Sequence, residues 1–186
     1  MSTAIDRHGY GMIDLEDIAA LAADSWEHRD RRFIVYDPAA DKVGILWPDY
    51  KAEENAVASG LLFVDCADSP LSAPYSAQNI ANLVWHRIEE SKIDTHGACM
   101  RGLWEACARM SESPDDAPFW VVYGLEPRVI VYTKSSYDYA CEQGRFFRFP
   151  QGIEKHSLTF WVDHPMTMQE LADAICAKAE ACGRPL

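Results

Sequence analysis

Lys92–Gly102, KIDTHGACMRG, is the stretch on which the reading of this chain turns. A histidine stands three residues before a cysteine, where the spacing predicts the start of a helix running from about Thr95 to Met110. Cys99, Leu103, Ala106, Cys107 and Met110 recur at i, i+4, i+7, i+8 and i+11, which is one helical stripe. That stripe predicts Cys99 as a small core thiol, because free cysteine is among the most buried residue types. The alternative reading makes Cys99 a nucleophile, with His164 as general base and Asp163 orienting the imidazole. Cys66, closing a buried strand, is the second candidate thiol for the same chemistry.

Outward from this stretch, the pattern predicts a helix over Asp14–Trp26, with Leu15, Ile18, Leu21, Ala22 and Trp26 on one side. The runs RFIVYD and KVGILW, joined by PAAD, read as a hairpin, and GLLFVD reads as a buried strand after a short helix over Tyr50–Ala58. Ser76 is the predicted N-cap of a helix with Ile80, Leu83, Val84 and Ile88 inward, and Tyr75 and Ile80 form its hydrophobic staple. FWVVYG and RVIVYTK form a second hairpin, followed by a short helix near Ser136–Glu142 and the strands RFFRF and HSLTFWVD. Thr167 and Glu170 form a capping box for a C-terminal helix stopped by Gly183, with Leu171, Ala174, Ile175, Ala179 and Cys182 on its inner face.

Strands arriving in adjacent pairs with helices between the groups predict an α+β fold. The expectation is a single domain over residues 1–186, built on a mainly antiparallel sheet of about five to seven strands packed with helices. SESPDDAP breaks the chain near its middle without marking a domain boundary, and no internal repeat is evident.

The formal net charge of −12 over 186 residues excludes a phosphate backbone as ligand and admits a basic protein as partner. MSTAIDRHGYGMIDLED carries acids early and no continuous apolar run, so neither a signal peptide nor a membrane span is expected, and a cytoplasmic location is. The six cysteines, irregularly spaced, read as reduced thiols. No glycine-rich nucleotide loop, C-x-x-C, H-E-x-x-H or G-x-S-x-G occurs, so no cofactor is expected. No metal is expected either: Cys107 lies about 12 Å beyond Cys99 along a helix, too far to share one ion with His96 and Cys99. Glu89–Glu90 and Asp115–Asp116 read as solvated charges.

Aromatic residues are the remaining signal. Trp47, Trp120, Trp161, Tyr123, Tyr132, Phe146, Phe147 and Phe160 fall on predicted strands, and alternation sends Phe119 and Trp120, like Phe160 and Trp161, to opposite faces. A sheet face carrying Trp120 and Trp161 beside the acids Asp115 and Asp116 is the candidate partner-binding surface. The expected function is a non-enzymatic, acidic protein-binding or regulatory role of adaptor, inhibitor or immunity type. The alternative is a cysteine-dependent hydrolase or transferase.

Overall fold

A computed structural model describes residues 4–28, 32–47, 51–66, 75–124, 128–142 and 157–184. The chain divides into two compact units, Met1–Ile88 and Glu89–Leu186. The division falls in the last turn of a helix, and the polar SESPDDAP stretch lies well inside the second unit.

In the first unit, helix α1 (Leu15–His28) precedes strands β1 (Phe33–Asp37) and β2 (Lys42–Leu46). Helix α2 (Ala52–Ala58), strand β3 (Leu62–Cys66) and helix α3 (Ala77–Glu90) follow. The sheet order is β2-β1-β3, antiparallel throughout, so the third strand returns to the free side of the hairpin's first strand. Tyr36 pairs with Val43 on one side and Leu62 on the other. Alternation then aims Ile34 and Tyr36 at one face, where they join Leu15, Ile18, Ala19 and Ala22 of α1 and Ile80, Ala81, Val84 and Ile88 of α3 in one core.

The second unit repeats this order. Helix α4 (Leu103–Glu112) and a 3-10 turn (Pro114–Asp116) lead into strands β4 (Phe119–Tyr123) and β5 (Val129–Thr133). Helix α5 (Lys134–Glu142), strand β6 (Leu158–Val162) and helix α6 (Met168–Ala181) complete it. Its sheet order is β5-β4-β6, again antiparallel, and Tyr123 pairs with Val129 and Leu158. Phe119, Val121 and Tyr123 face a core made with Leu103, Ala106, Cys107 and Met110 of α4 and Leu171, Ala172, Ile175 and Ala179 of α6.

The mixed α and β character agrees with the sequence reading, but among the described residues the strands do not form a single sheet of five to seven. They form instead two separate three-stranded sheets, and each closes its own core between a sheet face and two helices. RFFRF lies outside the described residues. The absence of an evident repeat is also corrected: both units run helix, hairpin, helix, strand, helix, with the same strand order.

Local signals explain most boundaries. Ser76 Oγ accepts the Asn79 N–H (3.1 Å), and Thr167 and Glu170 make the reciprocal capping box of α6. The largest departure is α4, which begins at Leu103 rather than near Thr95. Gly102, its N-cap, sits at φ +83, and a Cβ there would come within 2.8 Å of the Val129 carbonyl oxygen. A left-handed residue pressed against a neighbouring strand cannot continue a helix upstream. No helix among the described residues is long and apolar enough to cross a membrane.

Candidate functional site

With α4 starting at Leu103, Cys99 is not on the helical stripe. It lies in the preceding loop and is exposed, whereas Leu103, Ala106, Cys107 and Met110 are buried as the periodicity requires. Its backbone carbonyl accepts a 2.9 Å hydrogen bond from the Tyr123 hydroxyl. Cys182 is likewise exposed rather than on the inner face of α6. His164 and Asp163 follow β6 in an exposed bend. No hydrogen bond joins His164 to Cys99 among the described residues. Cys66 ends β3, and its side chain lies outside what the structure describes.

The imidazole that does meet a carboxylate is His96. Its Nε2 stands 3.2 Å from Asp173 Oδ1 on α6. The Gln169 side chain completes the arrangement: its Oε1 accepts the Asp94 N–H (3.1 Å), and its Nε2 donates to the Asp94 carbonyl and to Asp173 Oδ1 (both 2.9 Å). The hydrogen bonds from Gln169 first, and then His96, hold the Asp173 carboxyl below its ordinary pKa. Within the loop, the His96 N–H donates to Asp94 Oδ1 (2.9 Å), and the Ala98 N–H to the Thr95 carbonyl (3.0 Å).

The first unit has the same assembly, atom for atom. Gln78 Oε1 accepts the Asp6 N–H (2.9 Å), and its Nε2 donates to the Asp6 carbonyl and to Asn82 Oδ1 (both 3.0 Å). His8 Nε2 is 2.9 Å from Asn82 Oδ1, the His8 N–H donates to Asp6 Oδ1 (2.9 Å), and the Tyr10 N–H donates to the Arg7 carbonyl (3.0 Å). Both histidines adopt the left-handed backbone, at φ +52 and +53, which is uncommon for any residue but glycine. In the first unit Trp85 stacks on the His8 ring (4.5 Å, 16°). Cys176 stands at the matching place on α6, its Sγ 3.8 Å from the Thr95 carbonyl oxygen.

Behind each loop a tyrosine of the central strand ties it to the sheet, by different chemistry. Tyr123 bonds the Cys99 carbonyl directly. Tyr36 donates to Asp41 Oδ1 (2.8 Å), whose two oxygens also accept the N–H groups of Gly11 (2.6 Å) and Met12 (2.9 Å). Burial raises the Asp41 pKa, but the Met12 N–H, the Tyr36 hydroxyl and the Gly11 N–H outweigh it and hold the group below the ordinary range. A Cβ at Gly11 would lie 2.7 Å from Asp41 Oδ2, and the residue at the corresponding place in the second unit is Cys99.

The outer face of the second sheet carries the aromatic residues that the sequence singled out. Trp120 pairs with Tyr132 on one side and Trp161 on the other, a single cross-strand row. Trp120 and Trp161 have ring centroids 4.5 Å apart, and Tyr137 of α5 meets Trp120 edge-on at 5.1 Å. Trp161 is 42 % exposed, and Trp120 Nε1 is buried with no hydrogen-bond partner among the described residues. The row crosses β4 at Trp120, four to five residues beyond the exposed pair Asp115 and Asp116. Asp163, also exposed, follows Trp161 by two residues. The row equivalent in register in the first unit is Leu46, Phe33 and Cys66, with only one aromatic ring. There the exposed indole is Trp47, 70 % exposed, under the Arg32 guanidinium at 4.1 Å.

Elsewhere in the second unit a groove of about 430 Å³ runs between α4 and the start of α6, with Trp104, Cys107, Met166, Met168 and Glu170 on its walls. Burial, with the charges of Glu90 and Glu170, pushes the Cys107 thiol up to about 12, so it is a protonated wall and not a nucleophile. Glu90 is not the solvated acid its sequence suggests. It is 5 % exposed and accepts the Trp104 N–H (3.0 Å), doing for α4 what the side chain of Gly102 cannot. Among the described residues no group of three or more His, Cys, Asp or Glu side chains could hold a metal ion. Comparison with protein-family models, with curated proteins and with solved structures finds no match to this chain.

Proposed function

We propose that this chain is a non-enzymatic, acidic protein-binding module that takes a basic partner on the outer face of its second sheet. The observation that supports this most is the Tyr132–Trp120–Trp161 row, edged by Tyr137, with Asp115, Asp116 and Asp163 two to five residues away in sequence. A half-exposed indole resting on a second indole gives a rigid apolar anchor, and aromatic anchors dominate binding energy where they can be desolvated. The flanking carboxylates, on a chain of net charge −12, favour a cationic surface and speed its approach.

The division of labour gives the test its form. The tryptophan contribution should be insensitive to salt, and the carboxylate contribution should fall as ionic strength rises. The native chain, Trp161→Ala and the double variant Asp115→Asn/Asp116→Asn are each used as bait, and captured proteins are identified by mass spectrometry at 50 and 300 mM salt. The expected result is one basic protein, lost with Trp161→Ala at both salts and weakened by the double variant only at low salt. A captured partner indifferent to Trp161→Ala would overturn the assignment to this face.

A further inference from the structure

We infer that this chain is a tandem duplication of one αββαβα module of about ninety residues, each copy locked by the same His–Gln–Asx clamp between its first loop and its last helix. Topology alone does not carry this, because a small antiparallel sheet with helices on one face is a common solution to burying a core. The clamp does carry it, since nothing about that topology requires it. Six hydrogen bonds recur between the same atoms in both units: one accepted and two donated by a glutamine side chain, one between a histidine ring and an Asx oxygen, one from the histidine N–H to an aspartate side chain, and one backbone bond that shapes the loop.

The sequence offsets are those of a duplicated chain. Ile5-Asp6-x-His8-Gly9-x-x-Met12 and Ile93-Asp94-x-His96-Gly97-x-x-Met100 agree at five of eight positions, 88 residues apart. At the same offset Asp14 and Gly102 are both left-handed, at φ +64 and +83. The residues before them, Ile13 and Arg101, each accept a backbone bond from the first inward valine of a hairpin's second strand, Val43 (2.9 Å) and Val129 (2.7 Å). Gln78 and Asn82 lie 91 residues before Gln169 and Asp173. Buried positions follow the same offsets: Leu15, Ile18, Ala19 and Ala22 against Leu103, Ala106, Cys107 and Met110, and Ile80, Ala81, Val84 and Ile88 against Leu171, Ala172, Ile175 and Ala179.

The histidines show why the device was kept. A left-handed backbone is strained for a histidine. At both sites that conformation accompanies a ring placed at the Asx oxygen on the last helix. The clamp thus pins the two ends of each module together, and Gln78, Asn82, Gln169 and Asp173 are positioning residues for the loops that precede α1 and α4.

Amide hydrogen exchange of the intact chain, read by NMR, tests the inference. Gln169→Ala should speed exchange of the Asp94 and Ala98 amides about tenfold, and Gln78→Ala should do the same for Asp6 and Tyr10, as loss of two or three exposed hydrogen bonds implies. A second variant carries Asn82→Asp and Asp173→Asn together. Interchangeable clamps keep both loops protected in it, because either side chain presents the same Oδ1 acceptor. Opening of only one loop by the glutamine variants, or loss of protection from both loops in the exchanged variant, would contradict a shared device. If a glutamine variant fails to fold, the exchanged variant still decides.

Discussion

The two units differ most where they are otherwise most alike. In the first, the loop before α1 is held by a carboxylate: Asp41 collects the Tyr36 hydroxyl and two backbone N–H groups, and Gly11 leaves room for it. In the second, Tyr123 reaches the loop carbonyl itself, and the space holds an exposed thiol, Cys99. On the outer faces the order is reversed. The first unit shows a single-ring row and an indole under an arginine, while the second shows two tryptophan rings in tilted contact, with acids close by in the sequence. One framework therefore carries two different surfaces, and only the second has the aromatic row proposed as a binding face.

The framework should respond alike in both units, and this is where the largest effects are expected. Leu15→Ala and Leu103→Ala remove equivalent, fully buried side chains at the first position of α1 and α4. Each should destabilise its own unit by about 2–5 kcal/mol in a denaturant melt followed by unit-specific probes. Ile175→Ala, buried on α6, belongs in the same range, and Lys178→Ala on its exposed side should stay within about 0.5 kcal/mol. A large loss from Leu15→Ala beside a negligible one from Leu103→Ala would break the equivalence.

The next effect should appear in one unit only. Asp41→Asn removes a charged acceptor of three hydrogen bonds and is expected to destabilise the first unit by about 1–3 kcal/mol. Because the folded pKa of Asp41 is depressed, its contribution is complete above the unfolded value near 3.9 and is lost as pH falls through the folded value. Acid should therefore weaken the anchoring of the Gly11–Met12 loop, and the Asp41→Asn variant should lack that pH dependence. The direct bond from Tyr123 to the Cys99 carbonyl contains no carboxylate to titrate. Exchange of the Met12 amide, followed between pH 5 and pH 3, checks this.

Caps come lower in the order. Ser76→Ala and Thr167→Ala each remove the side-chain acceptor that starts the last helix of a unit, at about 1 kcal/mol apiece. Thr167→Ala should be the more damaging, because it also dismantles a capping box. The smallest effect on stability, and the sharpest in chemistry, concerns thiols. Cys99 should react with a maleimide at neutral pH in the native protein, while Cys107, buried and pushed up to about 12, should react only on unfolding. Labelling that starts at Cys107 would contradict the placement of α4.

Much of this was legible in the sequence, and the failures share a physical origin. Hairpins, the capping box and most of the inward stripes of the helices announced themselves, because period and end chemistry are local signals, but Leu21 and Cys182, which the period puts on those stripes, are exposed. The partition into two sheets did not, since it depends on β3 returning to β1 and β6 to β4, a choice that no local pattern records. Cys99 was misplaced because it lies four residues before Leu103 and extends the stripe by coincidence. His96-Gly97 and Gly102 were the available warning, as left-handed glycines interrupt a helix whatever the apolar spacing upstream. The duplication was concealed by its core. Ile18 against Ala106, and Ala22 against Met110, keep the burial and change the volume, so the pattern survives while identity does not. Identity persists where geometry leaves few alternatives, at Asp6 and Asp94, His8 and His96, Gln78 and Gln169. Of the proposed surface, Trp120, Trp161, Asp115 and Asp116 are candidates that the sequence itself offers, whereas Tyr137 is not, because the packing of α5 on the sheet is a tertiary contact.

Cross-strand nuclear Overhauser effects in the intact chain test the central claim most directly. Two copies of one module require that Tyr36 lie between Val43 and Leu62, and Tyr123 between Val129 and Leu158, with the Asp6 amide against Gln78 and the Asp94 amide against Gln169. Observation of all six proximities is the expected result. Strand pairs joining β1 or β3 to β4 or β6 in one continuous sheet, or a glutamine contact present in one unit and missing from the other, would contradict it.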